Sequence, residues 1–388
     1  MDNRDAQDVA SAGWTGLRTI EKTLPSRAYL DPAHHQHELE RIWYRDWVYL
    51  CRADTLAGPL DYRVFDIGTQ QVLLLRDEAG QLRAFHNTCR HRGAALCAES
   101  EGTLRTRRIT CPYHAWTYNL QGRLVGIPTA GRPVPVKLDD YPLHIVEIRQ
   151  WGGFVYVSLA VEPPPFRPFF DEDLDCLERW PLAELKVGAT HLWTVKCNWK
   201  IFWDNYSECL HCPGVHPGLS RMVPIYSRGI LAEQEDPNWQ DYADRSDPTF
   251  KGGLREGAAT WSLDGRSSGH EFPGLSAADR AAGYAYITIL PAQYLAAHVD
   301  YVRSVRIRPL GPEATEVYAE WLFPEAALAD PGFDLRNTVQ FSIDFLDEDA
   351  AVCELNHRGL RSIRHQEGVL MPEEIHVHRF QNWVRARL

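Results

Sequence analysis

The sequence contains the stretch "NTCRHRGAALC", Asn87 to Cys97, in which a cysteine and a histidine lie two residues apart. Twenty-two residues after Cys89 begins "CPYHAWTY", Cys111 to Tyr118, in which a second cysteine and histidine lie three apart. Each stretch has a residue suited to a tight loop, Gly93 in the first and Pro112 in the second. The sequence therefore predicts two Cys–His loops that converge on one metal centre.

The four candidate ligands are two thiolates and two imidazoles, from Cys89, His91, Cys111 and His114. A structural zinc ion accepts the same donors, but zinc-finger spacing groups the cysteines together and the histidines together. Here each loop contributes one of each. This mixed order favours a Rieske [2Fe–2S] cluster, in which two cysteines hold one iron and two histidines hold the other. We predict a Rieske cluster on these residues, with zinc as the alternative.

Composition limits the class of protein. The 388-residue chain is 44% hydrophobic and carries a net charge of −11, which predicts one large or two ordinary domains and argues against a general nucleic-acid role. It shows no run of about 18 apolar residues and no signal peptide, so we expect a cytoplasmic protein without a membrane span. The nine cysteines are an odd number scattered over the chain, so we expect reduced thiols. Cys97 is expected to be a buried, small apolar side chain.

The chain contains two regions whose residue patterns predict different secondary structure. From about Trp47 to Leu159, short alternating runs such as "DYRVFDI", "QQVLLLRD" and "QLRAFHN" are divided by turns, which predicts a small all-β domain. The proline-rich "VEPPPFRPFF", residues 161–170, indicates a boundary. Mixed patterns beyond it predict an α+β domain. The helical pattern of residues 32–47 is expected to pack on that second domain.

A second motif lies in the α+β region. "NWKIFWDNYSECLHCPGVHP", Asn198 to Pro217, begins with helical periodicity, and a continuous helix would place Glu208 and His211 on the same side. His211 and His216 are five residues apart, which a continuous helix would separate by about 140°. Pro213 lies between them, so the helix can break and turn His216 back. The residues predicted to share one helix face are Trp199, Phe202, Trp203, Tyr206 and Leu210.

Two histidines and one carboxylate form the facial triad of non-haem Fe(II) oxygenases, which leaves positions on one side of the metal open. The carboxylate has to come from elsewhere in the chain. "FSIDFLDEDAAVCELNHRGLRS", residues 341–362, predicts a helix, although its acidic run is equally typical of a solvated face. Two histidines with ordinary structural roles are the alternative reading of the motif. The carboxylate candidates, among which periodicity does not choose, are Asp344, Asp347, Glu348 and Asp349.

Taken together, these motifs resemble those of the α subunit of Rieske non-haem iron ring-hydroxylating oxygenases. The resemblance covers nearly all of the chain, from "ERIWYRDW" (residues 40–47) through both Cys–His loops and residues 198–217 to "DEDAAVCEL" (residues 347–355). In motif the chain is most similar to the branch that includes choline, carnitine and glycine-betaine monooxygenases.

The resemblance implies a role for each site residue. Glu208 occupies the position of a carboxylate that bridges the iron site and a Rieske histidine of the next subunit, for which His114 is the matching residue. Leu210 stands where many relatives have Tyr, and Asp204 where many have Glu; both departures concern the surroundings of the ligands. The implied iron ligands are His211, His216 and Asp349.

The implied fold is α+β and has three parts. Residues 46–160 form an all-β Rieske [2Fe–2S] domain. Residues 161–388 form a catalytic domain with a helix-covered antiparallel sheet of the SRPBCC/START type. Residues 1–45 form an N-terminal helical segment that packs on the catalytic domain.

The implied activity is that of the terminal oxygenase of a multicomponent system, in which Glu208 and Asp349 are catalytic. A separate NAD(P)H-dependent reductase of flavin or ferredoxin type delivers electrons to the cluster, and a mononuclear Fe(II) uses them to activate O2. No flavin or dinucleotide fingerprint is visible in this chain, which agrees with a separate reductase. The resemblance also implies a homotrimer with electron transfer between neighbouring subunits.

The resemblance implies that the substrate is a small molecule, aromatic or quaternary ammonium, which is hydroxylated or oxidatively demethylated. The alternative function is a Rieske electron-transfer protein with a non-catalytic binding domain, which needs about two irons per chain instead of about three. Second-domain aromatic residues form a cage for an ammonium group, a slot for an aromatic ring, or plain core. The candidates named for this role are Trp261, Tyr284, Tyr286 and Tyr294.

Overall fold

The computed structural model of the protein describes residues 12–129, 132–133, 136–170 and 173–388. It divides into two compact units. One unit is Leu39–Phe166, and the other joins the described residues up to Glu38 to Arg167–Leu388. The functional boundaries at residues 45/46 and 160/161 are not tested by this division and stay predictions.

The strands are β1 (Glu21–Lys22), β2 (Val48–Arg52), β3 (Asp61–Ile67), β4 (Gln70–Arg76), β5 (Leu82–His86), β6 (Glu101–Thr103), β7 (Arg108–Thr110), β8 (Thr117–Asn119), β9 (Leu124–Gly126), β10 (Glu147–Trp151), β11 (Phe154–Ser158), β12 (Lys186–Val195), β13 (Tyr284–Ile289), β14 (Gln293–His298), β15 (Val302–Gly311), β16 (Ala314–Phe323) and β17 (Val369–Leu370). The α-helices are α1 (Arg27–Leu30), α2 (Pro32–Glu38), α3 (Trp199–Tyr206), α4 (Cys212–Val215), α5 (Pro217–Met222), α6 (Pro248–Lys251), α7 (Ala277–Ala282), α8 (Glu325–Ala329), α9 (Leu335–Gly359) and α10 (Ile375–Arg385).

The unit Leu39–Phe166 is built from antiparallel sheets, as the sequence predicts. Their strand orders are β5–β4–β3–β6, β10–β11–β2 and β7–β8–β9. The β3–β4 hairpin closes through a two-residue turn between Ile67 and Gln70, and Gly68 has the positive φ of 57° that such turns require. Val72 to Leu75 of β4 are fully buried, and Leu73 and Leu75 belong to the core cluster that includes Cys89 and Cys111. The two candidate cluster cysteines are therefore held in place by packing within this hydrophobic core.

The other unit is built around one antiparallel sheet, β12–β16–β15–β14–β13. Helix α9 contacts α3 and β12, and α3 contacts β15 and α10, so helices cover the sheet. Asp334 caps α9 by accepting the backbone N–H of Asn337. This is the helix-covered antiparallel sheet expected from the sequence. Within the described ranges, no helix combines the length and apolar character that crossing a bilayer requires.

A buried ion pair joins α2 to α3. Lys200 Nζ lies 2.5 Å from Glu38 Oε1, and both side chains are fully buried. Lys200 also donates to Asn198 Oδ1 at 2.8 Å, and the indole N–H of Trp199 donates to Glu38 Oε2 at 2.9 Å. Burial opposes the charge of Glu38, but Lys200 outweighs it and holds the pKa of this carboxyl well below its usual range. The pair fixes the start of the helix that leads to the second motif.

Removing one member of this pair is expected to be costly. In Lys200→Met the carboxylate of Glu38 would stay buried without its counter-charge, so we expect the free energy of unfolding to fall by about 3–5 kcal/mol. Chemical denaturation measures this change. The double variant Glu38→Gln/Lys200→Met buries no charge and should recover most of the loss. Equal destabilisation of the single and double variants would contradict this account.

Candidate functional site

The first Cys–His loop follows β5 and is held by Asn87. The buried Asn87 side chain accepts the N–H groups of Leu96 and Cys97, each at 3.0 Å, and donates to the Cys97 carbonyl at 2.8 Å. Gly93, at φ 79°, donates its N–H to the Cys89 carbonyl at 2.9 Å, a left-handed conformation that suits glycine. Cys97 is a free, buried thiol whose pKa is raised by burial to about 11. This agrees with its predicted role as a small apolar side chain.

The second Cys–His loop turns between β7 and β8. The Cys111 N–H donates to the Trp116 carbonyl at 2.9 Å, and the Ala115 N–H donates to the Cys111 carbonyl at 3.0 Å. Ala115 has a φ of 53°, which is uncommon for a residue with a side chain. The tight turn holds Cys111 and His114 at a fixed spacing.

The two loops bring the four predicted cluster ligands together. Cys89 and Cys111 are buried and their thiols interact, while the rings of His91 and His114 lie 4.7 Å apart between centroids. His91 is exposed and His114 half-buried. Two paired thiols at a buried end and two imidazoles towards the surface fit a cluster with one iron on sulfur and one on nitrogen.

Tyr118 is a further cluster-loop residue that the sequence analysis did not single out. Its hydroxyl lies 3.3 Å from Cys89 Sγ and accepts the Arg90 N–H at 3.1 Å. The tyrosine O–H is therefore oriented to donate to the cysteine sulfur when that sulfur is a thiolate. Hydrogen bonds to ligand sulfurs stabilise the reduced state of an iron–sulfur cluster.

We therefore expect Tyr118→Phe to lower the cluster's reduction potential. A hydrogen bond of about 1 kcal/mol corresponds to roughly 40 mV for a one-electron couple. An electrochemical titration followed by EPR measures the shift. Tyr113→Phe is the control, because Tyr113 is an exposed tyrosine of the same loop region. Unchanged potentials in Tyr118→Phe would show that the hydroxyl does not act on the sulfur.

The second motif and α9 meet at a three-residue cluster of possible metal ligands, His211, His216 and Asp349. His211 Nε2 and His216 Nε2 are 3.2 Å apart. Asp349 Oδ1 lies 2.9 Å from His216 Nε2 and 3.5 Å from His211 Nε2. Two imidazoles and one carboxylate oxygen thus converge on one point, and this donor set fits a mononuclear non-haem iron.

Two more carboxylates hold the imidazoles through their other ring nitrogen. Glu208 Oε1 is 2.6 Å from His211 Nδ1, and Glu348 Oε2 is 2.7 Å from His216 Nδ1. Burial opposes the charged form of His211, but Asp349 and Glu208 outweigh it and raise its pKa to about 10. The pKa of His216 is raised by a similar balance. Each Nδ1–H donated to a carboxylate directs Nε2 towards the convergence point.

Glu348 has a larger expected role than the sequence analysis gives it. Because it orients His216, we expect Glu348→Ala to weaken iron binding by about 10- to 100-fold while the Rieske spectrum is retained. Iron titration of the apo-protein measures the affinity. Glu348→Gln keeps an acceptor oxygen and should lose less. An unchanged affinity in Glu348→Ala would confine the glutamate to a surface role.

The backbone around the second motif differs from the predicted helix. Helix α3 ends at Tyr206, so Leu210 lies beyond it and is 38% exposed instead of sharing the buried face. Glu208 is in the following turn, where its Oε2 accepts the backbone N–H groups of Leu210 and His211. The predicted break at Pro213 is displaced: α3 has already ended before His211, and Pro213 lies in the first turn of the short helix α4, which ends at Val215, just before His216. Glu208 therefore reaches His211 across a turn and not along a helix.

The prediction of reduced thiols throughout is wrong for one pair. Cys209 and Cys212 form a disulfide across the turn that contains His211. Their Cα atoms are 5.0 Å apart, within the range that a disulfide spans. The C-x-x-C spacing of this pair is present in the sequence, and an odd cysteine total does not exclude a single disulfide. The free cysteines of the described chain are Cys51, Cys89, Cys97, Cys111, Cys176, Cys197 and Cys353.

A cavity of about 240 Å³ adjoins the three converging residues. Its wall contains both histidines and Asp349, and it also contains Asn205 and Arg303, which the sequence analysis missed. No periodicity or spacing marks either residue, because Asn205 lies on α3 and Arg303 on β15, and only tertiary packing brings them to the same cavity. Asp204, the other departure from the family pattern, is half-buried and accepts the Tyr29 hydroxyl at 2.6 Å. The aromatic residues on the cavity wall are Phe170, Phe202, Tyr206, Tyr226, Trp261, Tyr284, Tyr286, Tyr294 and Phe345.

Comparison with known proteins gives matches to both parts of the chain. Residues 46–145 match the Rieske [2Fe-2S] domain family, and residues 182–388 match the family of the ring hydroxylating alpha subunit (catalytic domain). The glycine betaine monooxygenase oxygenase subunit of Chromohalobacter salexigens is 30% identical over 383 residues, which cover 92% of this chain and 84% of that protein. The carnitine monooxygenase oxygenase subunit of Escherichia coli K12 is 32% identical over 209 residues, which cover 52% of this chain and 54% of that protein.

A solved structure shares the fold. The apo form of the quaternary ammonium Rieske monooxygenase CntA matches with a TM-score of 0.70 at 19% identity, covering 95% of this chain and 96% of that one. An all-β Rieske domain and a helix-covered sheet with a His–His–Asp cluster together define a Rieske oxygenase with two metal centres. The chain belongs to the family of ring-hydroxylating α subunits. Its cofactors are a Rieske [2Fe–2S] cluster and a mononuclear iron, and the zinc and electron-carrier alternatives are thereby set aside.

Proposed function

We propose that this chain is the terminal oxygenase component of a multicomponent system, and that it oxidises a small quaternary ammonium compound. Relatives named for glycine betaine and carnitine support this substrate class. The aromatic wall of the cavity supports it independently, because ring faces attract ammonium cations. The observation that carries the proposal is the convergence of His211, His216 and Asp349 at the wall of this cavity.

The residue roles belong to the proposal. Bound iron and cluster would supply dioxygen activation and the electrons for it. Glu208 and Glu348 hold the ligand imidazoles in place, and the aromatic wall excludes water and orients the substrate. We assign the iron to His211, His216 and Asp349. We assign the cluster to Cys89, His91, Cys111 and His114.

The reaction balances as a monooxygenation. Hydroxylation of an N-methyl group inserts one atom of O2 into a C–H bond. The other oxygen atom accepts two electrons and two protons and is released as water. The resulting N-hydroxymethyl group loses its hydroxyl proton and breaks its C–N bond, which releases formaldehyde and leaves the bonding electron pair on a tertiary amine. The electrons come from NAD(P)H through a separate reductase of flavin or ferredoxin type. We further propose that the protein forms a homotrimer. Within each chain, we propose an N-terminal segment at residues 1–45, a Rieske domain at residues 46–160 and a catalytic domain at residues 161–388.

Oxygen uptake with a surrogate reductase tests the proposed function. Glycine betaine and carnitine should stimulate uptake, with formaldehyde formed in proportion to the O2 consumed. Toluate is the matched aromatic probe; ring hydroxylation of toluate with no turnover of any ammonium compound would overturn the substrate class. Iron analysis should give about three irons per chain, and about two in His211→Ala. Two irons in the unaltered protein would overturn the assignment of the mononuclear site.

A further inference from the structure

The cavity contains a buried positive charge that forms no ion pair within the described part of the chain. Arg303, the second residue of β15, is 1% exposed, and its side chain lines the cavity. Its Nε and Nη1 atoms are buried without a hydrogen-bond partner. Other arginines of the same strand differ: Arg308 donates to both carboxylate oxygens of Glu316. A buried, unpaired guanidinium is unfavourable unless a ligand supplies its partner.

Aromatic rings surround this guanidinium but do not satisfy its N–H donors. Its carbon lies 4.7 Å from the ring centroid of Phe345, 5.8 Å from that of Trp261 and 5.9 Å from that of Tyr294. Cation–π contacts engage the face of the guanidinium, whereas its donors point outward in the plane of the group. A planar fork of donors matches the two oxygens of a carboxylate.

The position of Arg303 relates it to the iron site. The Phe345 ring that it contacts also lies 6.3 Å from the ring of His216, so one phenyl ring separates the guanidinium from a proposed iron ligand. The rings of Tyr226, Tyr284 and Tyr286 form the neighbouring part of the wall, and in the described chain they have no cationic side chain over them. An ammonium group placed there would be repelled by Arg303 unless a negative group lay between the two charges.

We propose that Arg303 binds the carboxylate of the substrate, so that the substrate is a zwitterion with a quaternary ammonium group and a carboxylate. This inference rests on the proposed function, because it takes the cavity as the substrate site. The carboxylate would lie against the guanidinium, and the ammonium methyl groups against the tyrosine rings. Choline, which has the same trimethylammonium group without a carboxylate, would be a poor ligand.

Three probes of nearly equal shape test the proposal by calorimetric binding to the iron-loaded protein. Glycine betaine has both charges, choline has only the ammonium, and 3,3-dimethylbutanoate has only the carboxylate. We expect Arg303→Met to weaken glycine betaine binding by roughly 100-fold or more and to leave choline unchanged or tighter. Arg303→Lys should lose less, because it keeps the charge. Arg308→Met, on the same strand but outside the cavity, is the matched control.

Stability separates a ligand role from a structural role. Arg303→Met removes a buried unpaired charge, so the melting temperature of the ligand-free protein should stay unchanged or rise. Glycine betaine should raise the melting temperature of the unaltered protein and not that of the variant. Equal losses for glycine betaine and choline, or a large fall in melting temperature, would overturn the role of Arg303. If both carboxylate probes bind equally through Arg303 and no ammonium compound is turned over, the carboxylate-binding role of Arg303 stands, whereas the zwitterionic substrate and the proposed substrate class fail.

Discussion

Asp349→Ala is expected to remove the mononuclear iron and abolish turnover while the Rieske spectrum stays intact. Asp349 Oδ1 is the carboxylate oxygen nearest to both converging nitrogens, at 2.9 and 3.5 Å. Two imidazoles without that oxygen offer no facial triad, so iron should fall from about three to about two per chain. Metal analysis, EPR of the reduced cluster and oxygen uptake measure the three effects on one preparation.

The neighbouring acidic residues provide the contrast for this result. Asp347 lies on the exposed side of α9, where its carboxylate accepts the indole N–H of Trp193 at 2.6 Å. Asp347→Ala should therefore keep all three irons. Glu348→Ala should fall between the two variants, because this residue orients a ligand without being one. Full iron content and activity in Asp349→Ala would transfer the ligand role to another residue.

The cluster loops were predictable because their chemistry is local. Each loop carries its own cysteine and histidine at a short spacing, with Gly93 or Pro112 to tighten it, so the donor set can be read before any tertiary contact is known. The strands of the same unit were predictable for a similar reason. The run "DYRVFDI" forms β3 at Asp61–Ile67, because alternation and a flanking Gly turn fix both the strand and its end.

The second site was predictable only in part, because its residues meet through tertiary structure. Periodicity predicts the helix that carries residues 344–349, and α9 confirms that helix, yet it places four acidic residues within six positions. The packing of α9 beside α3 brings the Asp349 side chain to the two histidines. It also brings the Glu348 carboxylate into contact with His216. The end of α3 at Tyr206 was missed, because a side chain that accepts backbone N–H groups can compete with helix continuation. Here Glu208 does so.

The burial of Arg303 in the cavity could not be predicted from the sequence. In "YVRSVRIRPL", strand alternation places Arg303 on the opposite face from Arg306 and Arg308, but nothing in this stretch shows which face lines a cavity. The difference arises from the environment that the sheet creates on its two faces. Arg308 meets Glu316 across the strand pair, whereas Arg303 enters an aromatic cavity. A buried charge is recognised only when its surroundings are known.

Glu208→Gln is expected to keep both metal centres and to lose electron transfer between them. The glutamate accepts from His211 Nδ1 at 2.6 Å through one oxygen and from backbone N–H groups through the other. A glutamine at this position retains one acceptor oxygen for His211 Nδ1, so the bound iron should survive, while its amide NH2 group no longer accepts the backbone N–H groups of Leu210 and His211. The glutamine variant loses the negative charge of the Glu208 carboxylate. That charge stabilises a proton on Nδ1 of each imidazole that the carboxylate contacts.

The bridge itself is a proposal that rests on the family resemblance, in which this carboxylate faces the residue matching His114 on the next subunit. A single-turnover experiment tests it: the reduced protein is mixed with oxygen and substrate, and reoxidation of the cluster is followed optically. We expect reoxidation to slow by about 100-fold or more in Glu208→Gln. Glu348→Gln is the matched control, because it removes the same charge from the carboxylate of the other ligand histidine, which has no proposed bridging role. Comparable slowing in both variants would reduce Glu208 to an orienting residue. Rapid reoxidation with product formation in Glu208→Gln would rule the bridge out, because the imidazoles would then exchange electrons without the charge between them.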